Sequence, residues 1–488
     1  MFIPYYISDH LHEQNKLSQV IQKIFTFTSK IQPMRKLLVL ILLSSHLAYG
    51  QDSDSVFIRS IYDMALDQGK AYEDLRSLCK DVGARLTGSA EAEMAVYWGE
   101  RKMKEYGFDK VYLQEIEAVN WDRGTKEAAW IKNKKGEIHK LDVLALGGSI
   151  GTGGMISAEV VDFETLEDLK AAKEKDVKGK IVFLHQALDN KEILTFHAYS
   201  GCMPNRGWGA VEAARKGAKA VVIRSLGFPI DEHPHTGSLR YSDDVKKIPG
   251  AALSTSDAIL LSDWLKKGKV ELMLDMNCSD LGKIISYNVI GEITGSTKKD
   301  EIITVGGHMD SWDVGDGAHD DGAGIVHSLE AFRILKELDY HPQHTLRVVF
   351  FMNEENGNMG GRTYAKMASE RGEKHIAAIE SDRGGFSPRG FDMENASQDF
   401  IEIVQEQTRI LKPYELYRFE NGYGGVDIGP LKQFYPEIVL FGLVPDSQRY
   451  FDFHHSAADV FESVNKRELE MGCAATAAML FLVDRKLF

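Results

Sequence analysis

Short apolar runs, separated by polar and glycine-rich turns, recur through the second half of the chain. Four of them predict buried strands: EIITVGG (301–307), TLRVVFFM (345–352), HIAAIESD (375–382) and EIVLFGLV (437–444). Between the first two runs, four apolar residues recur at the spacing of a helix face: Ile325, Leu329, Phe332 and Leu335. Strand, helix and strand in this order predict a right-handed crossover, and therefore a largely parallel sheet.

The first half of the chain adds a helix and a second set of strands. The segment at 89–108, SAEAEMAVYWGERKMKEYGF, predicts a helix that ends at Gly107. Beyond it lie three short predicted strands and one helix: AEVVDF, GKIVFLH, AKAVVIRS and GAVEAARKG. We therefore predict an α/β fold with a mainly parallel, mixed sheet flanked by helices. Residues 51–124 and 286–488 would form this main domain, and residues 125–285 a smaller α/β domain inserted into it.

The N-terminal pattern is typical of a secretory signal peptide. Basic residues at positions 35 and 36 precede a short apolar run (37–43), and small residues precede Gln51. The run is too short for a membrane span, which needs about 20 apolar residues. We expect residues 34–50 to be a signal peptide, residues 1–33 an N-terminal extension, and the mature chain to be secreted or periplasmic.

Composition narrows the functional classes. The chain has 488 residues, of which 43% are hydrophobic, so a large core is expected. The formal net charge is −14 and no basic stripe is present, which argues against a nucleic-acid partner. No later stretch is apolar enough for a membrane span. The four cysteines are scattered without a C-x-x-C pair, which excludes a zinc knuckle but leaves one or two disulfides open.

Residues 306–324, GGHMDSWDVGDGAHDDGAG, hold five aspartates, two histidines and six glycines. Ligands of open α/β sheets bind beyond the carboxyl ends of the strands. Six acidic or imidazole residues follow the predicted strands there: His308, Asp320, Glu354, Glu355, Asp382 and His455. Singly, each has an ordinary interpretation, such as a helix N-cap for Asp320. Together they indicate a metal site, because carboxylates at this density repel one another unless a cation is bound.

Other motifs fit poorly. H-E-x-x-H does not occur, which excludes a single-helix zinc protease. An EF-hand beginning at Asp316 would place Asp321 where glycine belongs and His327 where the closing glutamate belongs. GGSIG (147–151) matches the G-x-S-x-G nucleophile elbow, but a strand rather than a helix is predicted after it, so a serine hydrolase is disfavoured.

Four strings together resemble the zinc peptidase family M28, and within it the branch of carboxypeptidase Q-like enzymes: GGHMDSWDVGDGAHDDGAG, NEENG, ESD and FHHSAAD. The similarity covers nearly all of residues 51–488 and includes RLTGS (85–89) and an inserted protease-associated-like domain. It implies an exopeptidase that hydrolyses short peptides or dipeptides with free termini, and it suggests a homodimer.

The resemblance also implies a metal site with two zinc ions per chain. His308 and Asp382 would hold one zinc ion, Glu355 and His455 the other, and Asp320 would bridge them. Neighbouring residues leave the bridge open between Asp320 and Asp321, and the histidine between His454 and His455.

Catalytic roles follow from the same resemblance. Glu354 would be the general base that activates water, although Glu355 competes for this role, and Asp310 would orient His308. The glycine-rich segment NGYGGVDIG (421–429) either lines the site or is a surface connection. The alternative function is a catalytically silent, exported binding protein of transferrin-receptor-like architecture. The complete set of ligand types and the presence of Glu354 favour the enzyme.

Overall fold

The computed structural model describes residues 53–488, so the predicted extension and signal peptide lie outside the described residues. Sixteen strands form two eight-stranded sheets in this part of the chain. In chain order the strands are β1 Lys110–Asp122, β2 Ala128–Asn133, β3 Ile138–Leu141, β4 Val143–Ala145, β5 Ile156–Phe163, β6 Ile181–Leu184, β7 Ala220–Arg224, β8 Gly250–Leu253, β9 Val270–Asp275, β10 Ser279–Ile293, β11 Lys298–His308, β12 His344–Phe351, β13 Lys374–Glu380, β14 Pro388–Glu394, β15 Arg418–Asn421 and β16 Val439–Pro445.

The α-helices range from a single turn to 21 residues. In chain order they are α1 Ser53–Gln68, α2 Ala71–Ser77, α3 Ala90–Glu105, α4 Leu166–Ala171, α5 Glu174–Val177, α6 Thr195–Arg215, α7 Thr255–Lys267, α8 Ala323–Glu337, α9 Met359–Glu370, α10 Gln398–Gln407, α11 Tyr450–Phe453 and α12 Lys466–Leu482.

The first sheet has the order β1-β10-β12-β11-β13-β16-β14-β15. Its centre is parallel, because β11 pairs in parallel with β12 and β13, and β13 with β16. Antiparallel pairs flank this centre, β1 with β10, β10 with β12, and β14 with β16. The predicted α/β fold with a mainly parallel, mixed sheet is therefore confirmed. All eight residues of β12 are buried, as expected of a central strand covered on both faces.

The second sheet has the order β3-β2-β9-β5-β6-β7-β8-β4 and is built from strands between residues 128 and 275. Its two faces carry separate apolar clusters, one including Phe183 and Leu272 and the other Leu184 and Val221. The next strand, β10, belongs to the first sheet and begins at Ser279, so the predicted domain boundary at 285/286 falls inside a strand.

Local signals explain how the predicted elements begin and end. The Ser89 hydroxyl accepts a hydrogen bond from the backbone N–H of Ala92 at 3.0 Å and caps α3. Two residues beyond the helix, Gly107 adopts a φ of 68°, which stops it. The ribbon formed by β1 and β10 was not predicted, because much of it is exposed and its apolar pattern is weak.

Two further expectations concern membranes and disulfides. No helix between residues 53 and 488 is long and apolar enough to cross a membrane. The four cysteines are buried and unpaired, so the disulfides that the sequence left open are absent: Cys79, Cys202, Cys278 and Cys473.

Candidate metal centre

The predicted site residues lie together at the carboxyl edge of the first sheet. His308 is the last residue of β11, and Asp320 lies just before α8, the helix that follows. Glu355 follows β12 and Asp382 follows β13. His455 follows α11, on the segment after β16. The parallel order of β12, β11, β13 and β16 therefore brings these five side chains to one place.

Asp320 lies at the centre of the group. One of its oxygens, Oδ1, is 3.2 Å from His308 Nε2, and the other, Oδ2, is 3.2 Å from His455 Nε2. Each imidazole meets one more carboxylate. His308 Nε2 is 3.5 Å from Asp382 Oδ1, and His455 Nε2 is 3.2 Å from Glu355 Oε2. The result is two adjacent sets of one nitrogen and two oxygens, with Asp320 in both.

The neighbours that competed for these positions make different contacts. The Asp321 carboxylate accepts hydrogen bonds from the backbone N–H groups of His308 and Gly324, at 3.1 and 2.9 Å, so it is used within the fold. His454 Nε2 is 3.7 Å from Asp320 Oδ2, and its ring stacks on the ring of His455 with 3.5 Å between centroids. Geometry therefore favours Asp320 over Asp321. Asp320, His454 and His455 place ligand atoms within 4.8 Å of one another, and His455 is the nearer of the two histidines to Asp320.

Asp310, which was expected to orient His308, contacts that imidazole through its backbone oxygen rather than through its carboxylate. His308 Nδ1 lies 2.9 Å from the backbone oxygen of Asp310 and 3.9 Å from its carboxylate. The carboxylate instead accepts hydrogen bonds from the Thr87 hydroxyl and from the backbone N–H of Glu354, at 2.9 and 3.0 Å. Asp310 thereby joins the chain segments that carry His308 and Glu354.

The charges of the site perturb one another strongly. Burial, together with the charge of Asp320, raises the pKa of Glu355 to about 7 against the opposing effect of His455. Burial also raises the pKa of Glu354 well above its usual range, with Glu355 and Asp382 adding to the effect of burial and His308 opposing it. Burial disfavours ionised Asp320, but the neighbouring imidazoles of His308 and His455 outweigh burial and hold its pKa well below the usual range.

Glycines allow the backbone segments of the site to approach one another closely. A Cβ atom on Gly324 would lie 1.8 Å from the backbone oxygen of Ser381 and 2.3 Å from Asp321 Oδ2. Only glycine lets the first turn of α8 pack beside the segment that carries Asp382. This close packing accounts for part of the glycine content of residues 306–324.

Residues from two other segments of the chain fix the loop between His308 and Asp320. Asp459 accepts hydrogen bonds from the backbone N–H groups of His319 and Asp320, at 2.7 and 3.1 Å. Arg85 is fully buried and donates to the backbone oxygens of residues 309, 316 and 317 at 2.6–2.9 Å. In the sequence RLTGS is only a point of resemblance, and these contacts give that motif a structural role.

The donor set fits zinc. Nitrogen and carboxylate oxygen ligands at about 2.0–2.1 Å in a tetrahedral arrangement lie about 3.3 Å from one another. The four nitrogen–oxygen distances around Asp320 are 3.2–3.5 Å. Moreover, Asp320 Oδ2 and Glu355 Oε1 are buried and accept no hydrogen bond. Buried acceptors without donors are costly, and a bound cation removes that cost.

The centre opens into a cleft of about 970 Å³, one wall of which comes from the chain of the second sheet. Arg206 of α6 lines this cleft together with Asp320, Glu354 and His455. Its guanidinium is largely buried, and its Nε has no hydrogen-bond partner. The segment 421–429 contributes residues such as Tyr423 to the cleft wall, so that loop lines the site. Arg206 belongs to no recognisable motif, so its place in the cleft could not be predicted from the sequence.

The GGSIG motif does not present a nucleophile. Ser149 is buried, its hydroxyl donates to the backbone oxygen of Ile150 at 2.9 Å, and it accepts from the N–H of Gly250 at 2.9 Å. Strand β5 follows it, as the sequence pattern predicted. Ser149 therefore supports a turn of the second sheet.

Comparisons with known proteins agree with this geometry. The family model "Peptidase family M28" matches residues 288–480. Carboxypeptidase Q of Bos taurus is 33% identical over 437 residues, which cover 89% of each chain, and human carboxypeptidase Q is similar to the same extent over 438 residues. The crystal structure of a peptidase M28 precursor from Shewanella amazonensis has 34% identity and a TM-score of 0.85, covering 89% of this chain and 97% of that chain.

Proposed function

The chain belongs to peptidase family M28, as a zinc metallopeptidase related to carboxypeptidase Q, and from this premise we propose that it is an exported exopeptidase that hydrolyses short peptides at a centre of two zinc ions. The observation that carries the proposal is the position of Asp320, whose two carboxylate oxygens each lie 3.2 Å from a different imidazole nitrogen. A carboxylate between two such nitrogens is suited to bridge two cations.

Each zinc ion would be held by three side chains. His308, Asp320 and Asp382 would hold one ion, and His455, Asp320 and Glu355 would hold the other. Structural zinc sites are closed by four protein ligands, whereas catalytic sites leave a position for water or substrate. Three ligands for each ion, next to a cleft, support a catalytic centre rather than a structural one.

Bound zinc would polarise the scissile carbonyl group and make water more acidic, which is the chemistry such a centre supplies. Glu354 lies beside Glu355 and lines the same cleft, so it is placed to take a proton from the attacking water. The same carboxyl group would then deliver that proton to the leaving amine as the peptide bond breaks. Its backbone N–H, bonded to Asp310, fixes the turn from which the side chain projects.

The position of Arg206 favours substrates that have a free carboxylate group. When His455 Nε2 binds a metal, its ring proton is on Nδ1, so Nδ1 cannot accept a hydrogen bond from Arg206 Nη1, 3.4 Å away. Among the described residues, no Asp or Glu forms an ion pair with Arg206, and the Thr236 carbonyl 3.4 Å away is a weak acceptor. A buried guanidinium without an anion favours an anionic ligand, and a peptide carboxylate fits it in charge and shape. The name carboxypeptidase, carried by the relatives, agrees with this assignment.

We extend the proposal to organisation and export. Residues 125–285 would be an inserted protease-associated-like domain, which is supported by the second sheet being formed between residues 128 and 275. Export rests on the pattern of residues 34–50. Intact-mass analysis of the secreted protein should give a chain beginning near Gln51, and recovery of residues 1–50 would contradict export. A homodimer stays a prediction from the resemblance.

A dipeptide library tests the activity. The purified protein should contain two zinc ions per chain, lose dipeptide hydrolysis when the zinc is chelated, and recover it when zinc is added. Each dipeptide should be paired with its N-acetylated and C-amidated forms, so that the preferred terminus is read from the same side chains. Zinc-loaded protein that hydrolyses none of the dipeptides would refute the proposed substrate class.

A further inference from the structure

The two imidazoles of the metal centre are oriented by different parts of the chain. His308 Nδ1 lies 2.9 Å from the backbone oxygen of Asp310, in its own loop. His455 Nδ1 lies 3.4 Å from the backbone oxygen of Thr236, in the connection between β7 and β8 of the second sheet. A metal-binding histidine is oriented by the group that accepts its other N–H. One imidazole therefore depends on the second sheet, and the other does not.

Residues 235–238, which we call the strap, contact both segments that carry the ligands His455 and Glu355. His235 Nδ1 donates to the backbone oxygen of His454 at 2.7 Å. The backbone N–H of Thr236 donates to the backbone oxygen of His455 at 2.9 Å. The Ser238 hydroxyl donates to the backbone oxygen of Glu355 at 2.7 Å. In the part of the chain that the structure describes, no hydrogen bond joins the strap to His308 or Asp382.

The strap is itself anchored to the second sheet. The Thr236 hydroxyl donates to the backbone oxygen of Ala145 at 2.8 Å. The backbone N–H of Gly147 donates to the backbone oxygen of Gly237 at 3.1 Å. Gly147 is the first residue of GGSIG, and a Cβ there would lie 1.8 Å from the Trp312 ring. Trp312 belongs to the loop between His308 and Asp320. The GGSIG motif thus holds the strap against the metal centre.

We propose that the strap positions one metal site only, the site of His455 and Glu355, so that the second sheet sets the affinity of one of the two zinc ions. This inference rests on the proposed dinuclear centre. His455 has a φ of 61°, a left-handed conformation that is uncommon outside glycine and needs surrounding contacts to hold it. The strap supplies three such contacts around His454 and His455. His308, in contrast, is held by Asp310 and Asp321 within the first sheet.

Variants that keep only one of the two metal sites allow the zinc affinity of each site to be measured separately. Asp382→Ala removes a ligand of the first site and keeps His455 and Glu355. His455→Ala removes the second site and keeps His308 and Asp382. Zinc affinity is measured by competition with a chromophoric chelator in each background, with and without His235→Ala. Loss of an outer partner of a metal ligand weakens metal binding by about 10–100-fold. His235 bonds the backbone beside His455 rather than its ring, so a loss of at most this size is expected from His235→Ala. We expect that loss in the Asp382→Ala background and unchanged affinity in the His455→Ala background.

Two further variants distinguish positioning from general stability. His235→Asn keeps an N–H donor close to the position of Nδ1 and should restore zinc affinity. Thr255→Val is the matched control, because the buried Thr255 hydroxyl donates to the backbone oxygen of Pro229 at 2.7 Å and does not contact the metal centre. It should lower the melting temperature without changing zinc affinity. In the chain that keeps both sites, His235→Ala combined with Ser238→Ala should lower the zinc content after dialysis from two ions to one.

The outcomes are distinguishable from failure of the proposed function. A chain with all its ligands that binds fewer than two zinc ions would overturn the dinuclear centre, and this inference with it. Two bound ions, with equal effects of His235→Ala in both backgrounds or no effect in either, would overturn the strap's role alone. Failure of His235→Asn to recover zinc affinity would also refute a role based on the Nδ1 donor.

Discussion

Replacing Arg206 tests how the enzyme selects the end of a peptide. Arg206→Met keeps most of the apolar stem and removes the guanidinium. The side chain lies in the cleft of the metal centre, with its Nε buried and without a partner. If a substrate carboxylate binds there, Arg206→Met removes at least one charge-assisted hydrogen bond. If it does not, the substitution relieves an unpaired buried charge and turnover changes little.

The magnitude follows from the number of free donors. A hydrogen bond to a charged group contributes about 1.5–3 kcal/mol, which corresponds to a loss of about 10- to 150-fold in kcat/KM. In the unaltered enzyme, kcat/KM for a dipeptide should exceed kcat/KM for its C-terminal amide by the same factor, because the amide group carries no charge. In Arg206→Met this preference should nearly disappear, since the group that reads the charge is gone.

The assay is therefore a cycle of two enzymes and two substrates. The value of kcat/KM is measured for one dipeptide and its amide, with the unaltered enzyme and with Arg206→Met. Arg206→Lys is the control that keeps the charge and loses the planar fork, and it should retain part of the preference. Zinc content is measured in each protein, because Arg206 Nη1 lies 3.4 Å from His455 Nδ1. Equal losses on the dipeptide and its amide, with both zinc ions bound, would refute carboxylate recognition by Arg206.

Three further predictions concern the centre and the fold. Glu354→Gln should keep both zinc ions but lower kcat by about 10²–10⁴, because the amide cannot accept a proton. Glu355→Gln should lose zinc first. The opposite result would exchange the roles of the two residues. Asp320→Asn should disturb both zinc ions in a metal analysis, whereas Asp321→Asn should keep them and lower stability, because Asp321 bonds backbone N–H groups. Burial lowers the pKa of His327 to about 4, from 6.5, so below pH 6.5 the unfolded chain binds a proton that the folded chain does not. The free energy of unfolding should then fall by about 3 kcal/mol between pH 6.5 and 4, and denaturant titrations of His327→Gln should show a smaller fall.

The central strands and the ligand segments were predictable because their signals are local. A buried parallel strand is a continuous apolar run, as in β12, and a ligand that follows such a strand lies at a known edge of the sheet. Six side chains could therefore be grouped from the sequence alone. The choice between Asp320 and Asp321 could not, because adjacent carboxylates differ only in direction, which the backbone determines.

Contacts made across the two sheets carry no such signal. Arg206 lies in the middle of α6, and the strap lies in an irregular connection, far along the chain from any ligand. Whether these residues reach the metal centre depends on how the second sheet packs against the first. A different limit applies to Asp310, whose carboxylate accepts hydrogen bonds from Thr87 and Glu354 while its backbone oxygen contacts His308. Sequence identifies the residue, but not which of its oxygens is used.

The clefts at the metal centre are too large to select a peptide terminus by size, which leaves charge as the means of selection. Glu354 and Glu355 line two clefts, of about 960 and 970 Å³, each near the upper end of the range for small-molecule sites. Either cleft is far larger than one amino-acid residue, so neither wall would exclude a longer peptide by its size. Asp320, Asp382 and His455 line only the second of these clefts, which is also the one that contains Arg206. For the proposed exopeptidase, recognition of a peptide terminus would then depend on charge, and Arg206, a buried arginine of this cleft that pairs with no described Asp or Glu, is the candidate for binding a carboxylate.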